Sequence, residues 1–472
     1  MENPYDIAIL GGGPGGYAAA IRAAQRGARV ALVEEQRVGG TCLNRGCIPT
    51  KAMAHDAELF RALGSGAYAA QAVGGVRLDV PRLLARRGEV VEGLVGGVER
   101  LLSRYGVACR TGRGTILAPG TVEVAHREAP PERLGARAII VASGSTPAVP
   151  PIPGADLPGV VTSDGLLALD HVPASLVVIG AGVIGIEFAS IYAALGARVS
   201  VVEKFDFLMG VDLQLARRYR AILKRQGVEI STGVEVTGIT PADGGLLRVA
   251  YTERGQELAA EGETVLMATG RRPNAAGLGL EEIGVALDGR AIQVNARMET
   301  SVPGIYAVGD CTGGVMLAHV ASYEGEVAVD NILGRPREAD YSVVPNCVYT
   351  IPEIAGVGLT EEQAKRQGRG VRVSRFPFTA SGRALALGET EGQVRMICEA
   401  EAEADGRGGR ILGVHILGPR ASEAIAEAAL ALRLGARAED LAHTMHQHPT
   451  ISEALMEAAM AQGDGAIHFE SR

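Results

Sequence analysis

The residues best suited to chemistry are Cys42 and Cys47, separated by Leu-Asn-Arg-Gly and followed at once by Ile48-Pro49-Thr50-Lys51. Two thiols this close can cycle between dithiol and disulfide and so carry two electrons. Pro49 fits the first turn of a helix, which puts Cys47 at or just before the helix N-terminus, where the dipole stabilises a thiolate. A zinc half-site would need a second close pair, yet Cys109, Cys311, Cys347 and Cys398 are scattered, and His55 alone does not complete four ligands. A structural disulfide would close too short a loop to remove much unfolded-chain entropy. The pair is therefore read as redox-active, no metal is expected, and the other four cysteines are read as small core side chains.

Two glycine-rich turns point to nucleotide ligands. The apolar run Tyr5 to Leu10 ends at Gly11-Gly-Gly-Pro-Gly-Gly16, a G-x-G-x-x-G pattern on Gly11, Gly13 and Gly16; an Ala-rich helical stretch, a strand from Ala28 to Val33 and Glu34 follow. The same order recurs in Leu176 to Ile179, then Gly180, Gly182 and Gly185, a helix, the strand Arg198 to Val202 and Glu203. In each copy the acid stands 23 residues after the first glycine. Glycines allow the turn and the approach of a pyrophosphate, the helix N-terminus faces its charge, and the acid accepts from a ribose hydroxyl. One such pattern is a weak signal, but two in full strand and helix context are a strong one.

The elements that must position these residues repeat as well. Ile139-Ile-Val-Ala-Ser-Gly-Ser-Thr-Pro147 and Val265-Leu-Met-Ala-Thr-Gly-Arg-Arg-Pro273 are apolar strands ending in small-residue turns, each expected to close one nucleotide unit. A further strand, Ile305 to Val308, ends at Gly309-Asp310, where the carboxylate is either a ligand group at a strand end or a turn and cap residue. From about Val344 the pattern changes: strands such as Gln393 to Cys398 and Ile411 to Ile416 precede helices, as in an α+β layer. The expected fold is α/β, with two Rossmann-like dinucleotide-binding domains and an α+β C-terminal domain. The expected boundaries are 1–147, 148–274, 275–343 and 344–472, with the Pro-rich Pro147 to Pro158 as a connector. A length of 472 residues agrees with three or four domains.

Composition narrows the partners. A net charge of −8 gives no footprint for nucleic acid or an anionic membrane. Leu176 to Ala197 is apolar enough to suggest a membrane span, but it carries Glu187 and four glycines and breaks into strand, turn and helix. The opening Met-Glu-Asn-Pro-Tyr-Asp has no basic region, so no leader is expected and the compartment is read as cytoplasmic.

Gly39-Gly-Thr-Cys42-Leu-Asn-Arg-Gly-Cys47-Ile-Pro-Thr-Lys51 resembles the active-site motif of the pyridine nucleotide-disulfide oxidoreductases. Within that family, Met316-Leu-Ala-His319, Tyr349-Thr-Ile-Pro-Glu353 and His446-Gln-His-Pro-Thr450 with Glu453 resemble the branch that oxidises dihydrolipoamide. The likeness spans nearly the whole chain in order. It implies FAD on the first unit, NAD on the second, a central domain completing the FAD site, and a C-terminal interface domain joining a homodimer. It also implies oxidation of a dihydrolipoyl group borne by a protein of a 2-oxo acid dehydrogenase complex or glycine cleavage system, through the Cys42–Cys47 disulfide and FAD to NAD.

Roles follow from the likeness. Cys42 exchanges with the substrate thiol and Cys47 sits against the flavin; His448 is the base, with Glu453 orienting its imidazole. By pattern alone, however, Thr450-Ile-Ser-Glu453 is a capping box for a helix from Ala454 to Ala461, and His446 reads as a packed structural residue. Lys51 lies one turn after Cys47 and pairs by likeness with Glu187 beside the flavin; its other reading is a solvated cation, whereas Glu187 in so apolar a segment wants a partner. Ser143, Gly270 and Ala318 join the cofactor sites. Three departures stand out: Val320 where a basic residue is common, Arg45 where an apolar one is, and Ala142-Ser143-Gly144 for Ala-Thr-Gly. Arg45 is either a solvated cation or a group that tunes a thiol or meets a charged partner. Two alternatives remain: a mercuric or glutathione type of reductase, the former wanting an added cysteine pair near the C-terminus, and a flavoprotein acting mainly as a scaffold subunit.

Overall fold

The computed structural model describes residues 5–65, 75–400 and 409–470. Met1 to Pro4, Ser471 and Arg472, on which the expectations about a leader and an added cysteine pair partly rest, lie outside these ranges.

Two parallel sheets are built on one plan. In the first, the strands run in the order Ala108–Thr111, Val30–Glu34, Tyr5–Leu10 and Glu132–Val141, all parallel, with Ile305–Ala307 joining Glu132–Val141 on its far side. In the second the order is Glu229–Thr232, Arg198–Glu203, Ser175–Ile179, Thr264–Met267 and Val160–Thr162, again parallel. Each plan inserts an antiparallel excursion before its closing strand: Arg113–Ala118 with Thr121–Ala125 in the first, and three strands from Glu235 to Gly262 in the second. Strands buried on both faces read as continuous apolar runs, as Ile7 to Leu10 and Leu176 to Ile179 do. The second strand of the first unit starts at Val30, two residues later than its sequence suggested, because Ala28 returns its N–H to Ala23 in the helix-closing turn.

Leu176 to Ala197 resolves into the strand Ser175–Ile179, a glycine turn and the helix Val183–Ala194. Among the described residues no helix is long and apolar enough to cross a membrane. The two units meet where their closing strands end, since Ser145–Pro147 pairs antiparallel with Arg271–Pro273. The C-terminal part is a five-stranded antiparallel sheet, Asn346–Val348, Glu353–Gly358, Ile411–Gly418, Gln393–Glu399 and Val371–Pro377, with the helices Ala421–Arg433 and Glu453–Met460 packed on it. The core of the second unit runs without a break into Met53 and Ala57 of the redox helix and into Val348, Ile351 and Ile354 of this sheet. That shared core fixes the redox segment against both neighbours.

Candidate active site

The glycines of each turn divide the labour alike. Gly11 has φ +107° and Gly180 has φ +115°, and a Cβ on either would collide with the carbonyl of Ala142 or Ala268 at the end of the closing strand. Gly16 and Gly185 lie against the first glycine of their own turn, a Cβ falling 1.8 Å from the Gly11 oxygen and 2.0 Å from the Gly180 oxygen. Gly182, by contrast, meets nothing within 4 Å, and Gly13 meets only the Cα of Gly40 at 3.9 Å. So the outer glycines bring strand, turn and helix together and the middle one leaves room for a ligand. The acids are wired alike too. Glu34 accepts from the N–H of Gly12 at 2.7 Å and of Gln36 at 2.8 Å; Glu203 accepts from Ala181 at 2.5 Å and Phe205 at 2.7 Å. A carboxylate has about four lone-pair sites, so each keeps acceptor capacity for a hydroxyl.

Cys47 is the first residue of the helix Cys47–Gly64, as the position of Pro49 implied. The expected redox loop is instead a short helix, Gly40–Arg45, which carries Cys42 and packs on the redox helix. Gly39 and Gly40 have positive φ and reverse the chain so closely that a Cβ on Gly40 would sit 2.7 Å from the Cα of Gly13. The redox segment therefore lies directly on the first nucleotide turn. The neighbouring Cys42 thiol is the main reason that Cys47 is lowered to about 7, with burial opposing and the Lys51 ammonium assisting; Cys42 is pushed up by its neighbour Cys47 and by burial. Of the two sulfurs, Cys47 is the one whose surroundings favour a thiolate.

Lys51 Nζ stands 2.8 Å from Oε2 of the buried Glu187, whose Oε1 accepts from the Tyr349 N–H at 2.8 Å. The pairing expected for Lys51 is present, and the solvated-cation reading is set aside. Ser145 Oγ donates to Asp310, and Arg271 Nε lies 3.7 Å from the same oxygen. Asp310 belongs to the 3-10 turn Gly309–Thr312 and faces the cavity. Ser143 Oγ donates to the Asn274 carbonyl at 2.5 Å, Gly270 has φ +107°, and Ala318 opens the helix Ala318–Ile332.

One cavity of about 1590 Å³ joins these features, running along Gly11, Gly13, Glu34, Cys42, Cys47, Lys51, Ser143, Asp310 and Ala318 and on to Gly180, Gly182, Glu187, Glu203 and Gly270. Gly16 and Gly185 lie behind it as packing residues. Residues 5–325 match the pyridine nucleotide-disulphide oxidoreductase family, and residues 344–459 match that family's dimerisation domain. The chain belongs to the pyridine nucleotide-disulphide oxidoreductases.

Relatives in this family cover the whole chain. The dihydrolipoyl dehydrogenase of Thermus scotoductus is 44% identical over 99% of both chains, and that of Bacillus subtilis is 38% identical over 99% of this chain and 100% of its own. Two solved structures share the fold: LpdA of Mycobacterium tuberculosis, with a TM-score of 0.87 and 29% identity over 96% of this chain and 98% of that one, and the HOCl-induced flavoprotein disulfide reductase RclA of Escherichia coli, with 0.86 and 31% over 97% and 99%.

The dimerisation domain carries His448, 78% exposed, whose Nδ1 lies 2.9 Å from Glu453 Oε1. Glu453 Oε2 accepts from the Thr450 N–H at 2.7 Å, but the helix Glu453–Met460 begins after Ser452 and has no side-chain cap, while the Thr450 hydroxyl turns to Gln447 and Ser452, so only half of the expected capping box forms. Burial works against its charge, but the Thr450 N–H and His448 outweigh it and hold its carboxyl below the ordinary range. Neither residue lines the cavity of its own chain. His446 is buried and bonds Glu427 at 2.8 Å, a packed residue as expected.

Two cysteine readings are corrected. Cys109 is exposed on the edge strand Ala108–Thr111, and Cys347 is half-buried in the cavity wall, pushed up to about 12 by burial and the Glu353 and Glu187 carboxylates. Only Cys311 and Cys398 are core. Arg45 is not a free cation: its Nε stands 3.1 Å from Asp164 of the second unit and it also bonds Gln36. Sequence spacing offered no signal for Arg271, Ser145 or Asn274, whose partners lie more than 120 residues away.

Proposed function

We propose that this protein is an FAD- and NAD-dependent dihydrolipoyl dehydrogenase, a homodimer that oxidises the dihydrolipoyl arm of a partner protein in a 2-oxo acid dehydrogenase complex or the glycine cleavage system. The observation that carries the reading is one cavity with a nucleotide turn at each end and Cys42, Cys47 and the Lys51–Glu187 pair between them. The names of the full-length relatives support the substrate.

The residues fit both cofactors. The turn at Gly11, Gly13 and Gly16, with Glu34, Lys51, Ser143, Asp310 and Ala318, would hold FAD; the turn at Gly180, Gly182 and Gly185, with Glu187, Glu203 and Gly270, would hold NAD. Glu203 favours a ribose hydroxyl over a 2′-phosphate, and the adjacent Lys204 is engaged by Glu235 at 2.9 Å. When bound, FAD supplies the acceptor of two electrons from the cysteine pair and the donor of hydride to NAD.

In the dithiol half-reaction, His448 takes the proton of a substrate thiol, and Glu453 stabilises the resulting imidazolium. The substrate thiolate attacks Cys42 Sγ; the Cys42–Cys47 bond breaks and its electron pair leaves on Cys47, the sulfur that the neighbouring groups keep as a thiolate. The second substrate thiol then attacks the substrate sulfur joined to Cys42, closing the substrate disulfide, while its proton passes to the Cys42 sulfur that leaves. The domain limits 1–147, 148–274, 275–343 and 344–472 belong to this proposal, as does the cytoplasm, where thiols stay reducible.

Steady-state turnover of the purified holoenzyme on free dihydrolipoamide with NAD tests the reading. NADH should form, with kcat/KM far higher for NAD than for NADP. Faster turnover of glutathione disulfide or mercuric ion with NADPH would replace it by a reductase of that type, and flavin-loaded protein without turnover would leave a scaffold.

A further inference from the structure

Tyr349 follows the short strand Asn346–Val348 of the C-terminal sheet, yet it reaches the redox centre twice. Its N–H holds Glu187 Oε1, and its ring centre lies 4.5 Å from Lys51 Nζ. The ammonium is thus gripped by Glu187 on one side and an aromatic face on the other, and both grips depend on one residue of the C-terminal part. An ammonium over a ring face is attracted by the ring quadrupole, more strongly as it loses water, and the Lys51 side chain is only 28% exposed. Lys51 stands one helical turn beyond Cys47, so where its charge sits decides how strongly it stabilises that sulfur.

We propose that Tyr349 is a positioning residue for the redox pair: its ring keeps the Lys51 ammonium at the cysteine side of the Lys51–Glu187 ion pair and so maintains Cys47 as a thiolate. The inference rests on the reading of Cys47 as the thiolate sulfur. Lys51 lowers the Cys47 thiol and Glu187 raises it, so a Lys51 released toward solvent would leave the opposing carboxylate in place. The other titratable groups near the sulfur are Cys42 beside it and Tyr17 from the helix Pro14–Gln25; around the ring they are Cys347, Glu353 and Glu423.

The test is the titration of Cys47 in flavin-loaded Cys42→Ser protein, read as ultraviolet thiolate absorbance by difference from Cys42→Ser/Cys47→Ser. Tyr349→Phe, which keeps the ring, should leave the midpoint unchanged, whereas Tyr349→Leu should raise it by about half a pH unit or more. A series of phenylalanines with increasing ring fluorination at position 349 preserves shape while draining the ring face, and its midpoints should climb in step; this series decides the matter if the Leu variant does not fold. Fluorinated variants that titrate like Phe, or a Phe variant shifted as far as Leu, would overturn the role of the ring. Because Cys42, the main lowering group, is replaced in every arm, the parent midpoint serves only as the baseline, and a Tyr349→Leu midpoint equal to it would overturn the inference.

Discussion

Every candidate catalytic side chain here is held by a second group that decides its state. The two sulfurs are unequal because Cys47 is lowered by the neighbouring Cys42 and by Lys51, whereas Cys42 is pushed up by its neighbour and by burial. Cys47→Ser should leave FAD bound, since the residues proposed to hold it are untouched, while dihydrolipoamide oxidation stops; flavin lost on purification, or turnover retained, would contradict this. Glu453 divides its oxygens between Thr450 and His448. In Glu453→Gln the amide oxygen can still take the Thr450 N–H, so the turn before the helix survives, but an NH2 group then faces Nδ1 and cannot hold an imidazolium. Turnover should fall roughly 10²- to 10⁴-fold, the usual range for losing acid–base catalysis, with thermal stability nearly unchanged. A variant that unfolds but is active when folded would make the bond to Thr450 the larger role.

At the level of elements, the strand–turn–helix unit is used twice with the same three glycines, and their geometry separates packing from binding. Gly185→Ala would drive a methyl to within 2.0 Å of the Gly180 carbonyl oxygen, forcing strand and helix apart and costing about 1–3 kcal/mol or more. Gly182→Ala meets nothing and has φ −74°, which alanine adopts freely. It should melt like the parent yet bind NAD more weakly, because its methyl occupies the path of the pyrophosphate. Equal losses of stability in the two variants, measured by thermal unfolding, would refute the division. The redox segment is likewise set by an element contact, the backbone of Gly40 resting on that of Gly13.

For the whole molecule, the decisive feature is that the proposed base and the cysteine pair lie on different surfaces. His448 is exposed and absent from the cavity that holds Cys42. Its part of the chain matches a dimerisation domain and exposes Leu430, Leu434 and Met445, the last 96% exposed. In a twofold dimer a surface that serves the partner is served in return. Cys42→Ser and His448→Ala chains should each be nearly inactive alone, yet a mixed dimer contains one site with both residues intact. With random reassociation half the dimers are mixed and each has one good site of two, so mixing should restore about a quarter of wild-type activity. No recovery, with subunit exchange confirmed by mass, would place the base within its own chain or elsewhere.

The sequence alone determined what depends on neighbours within about thirty residues. Gly11, Gly13, Gly16 and Glu34 are bound together by sterics and by hydrogen bonds inside one strand–turn–helix–strand unit, and Pro49 after Cys47 starts a helix wherever the chain goes. The family resemblance added the Lys51–Glu187 partnership, which bridges 136 positions and leaves no trace in local spacing. Only the tertiary structure decided that both nucleotide turns open on one cavity, that Arg45 meets Asp164, that Cys347 enters the cavity wall and Cys109 the surface, and that Tyr349 grips Lys51. The physical reason is that burial and side-chain convergence are set by how distant elements pack, and a residue type at a position carries no record of which far segment will cover it.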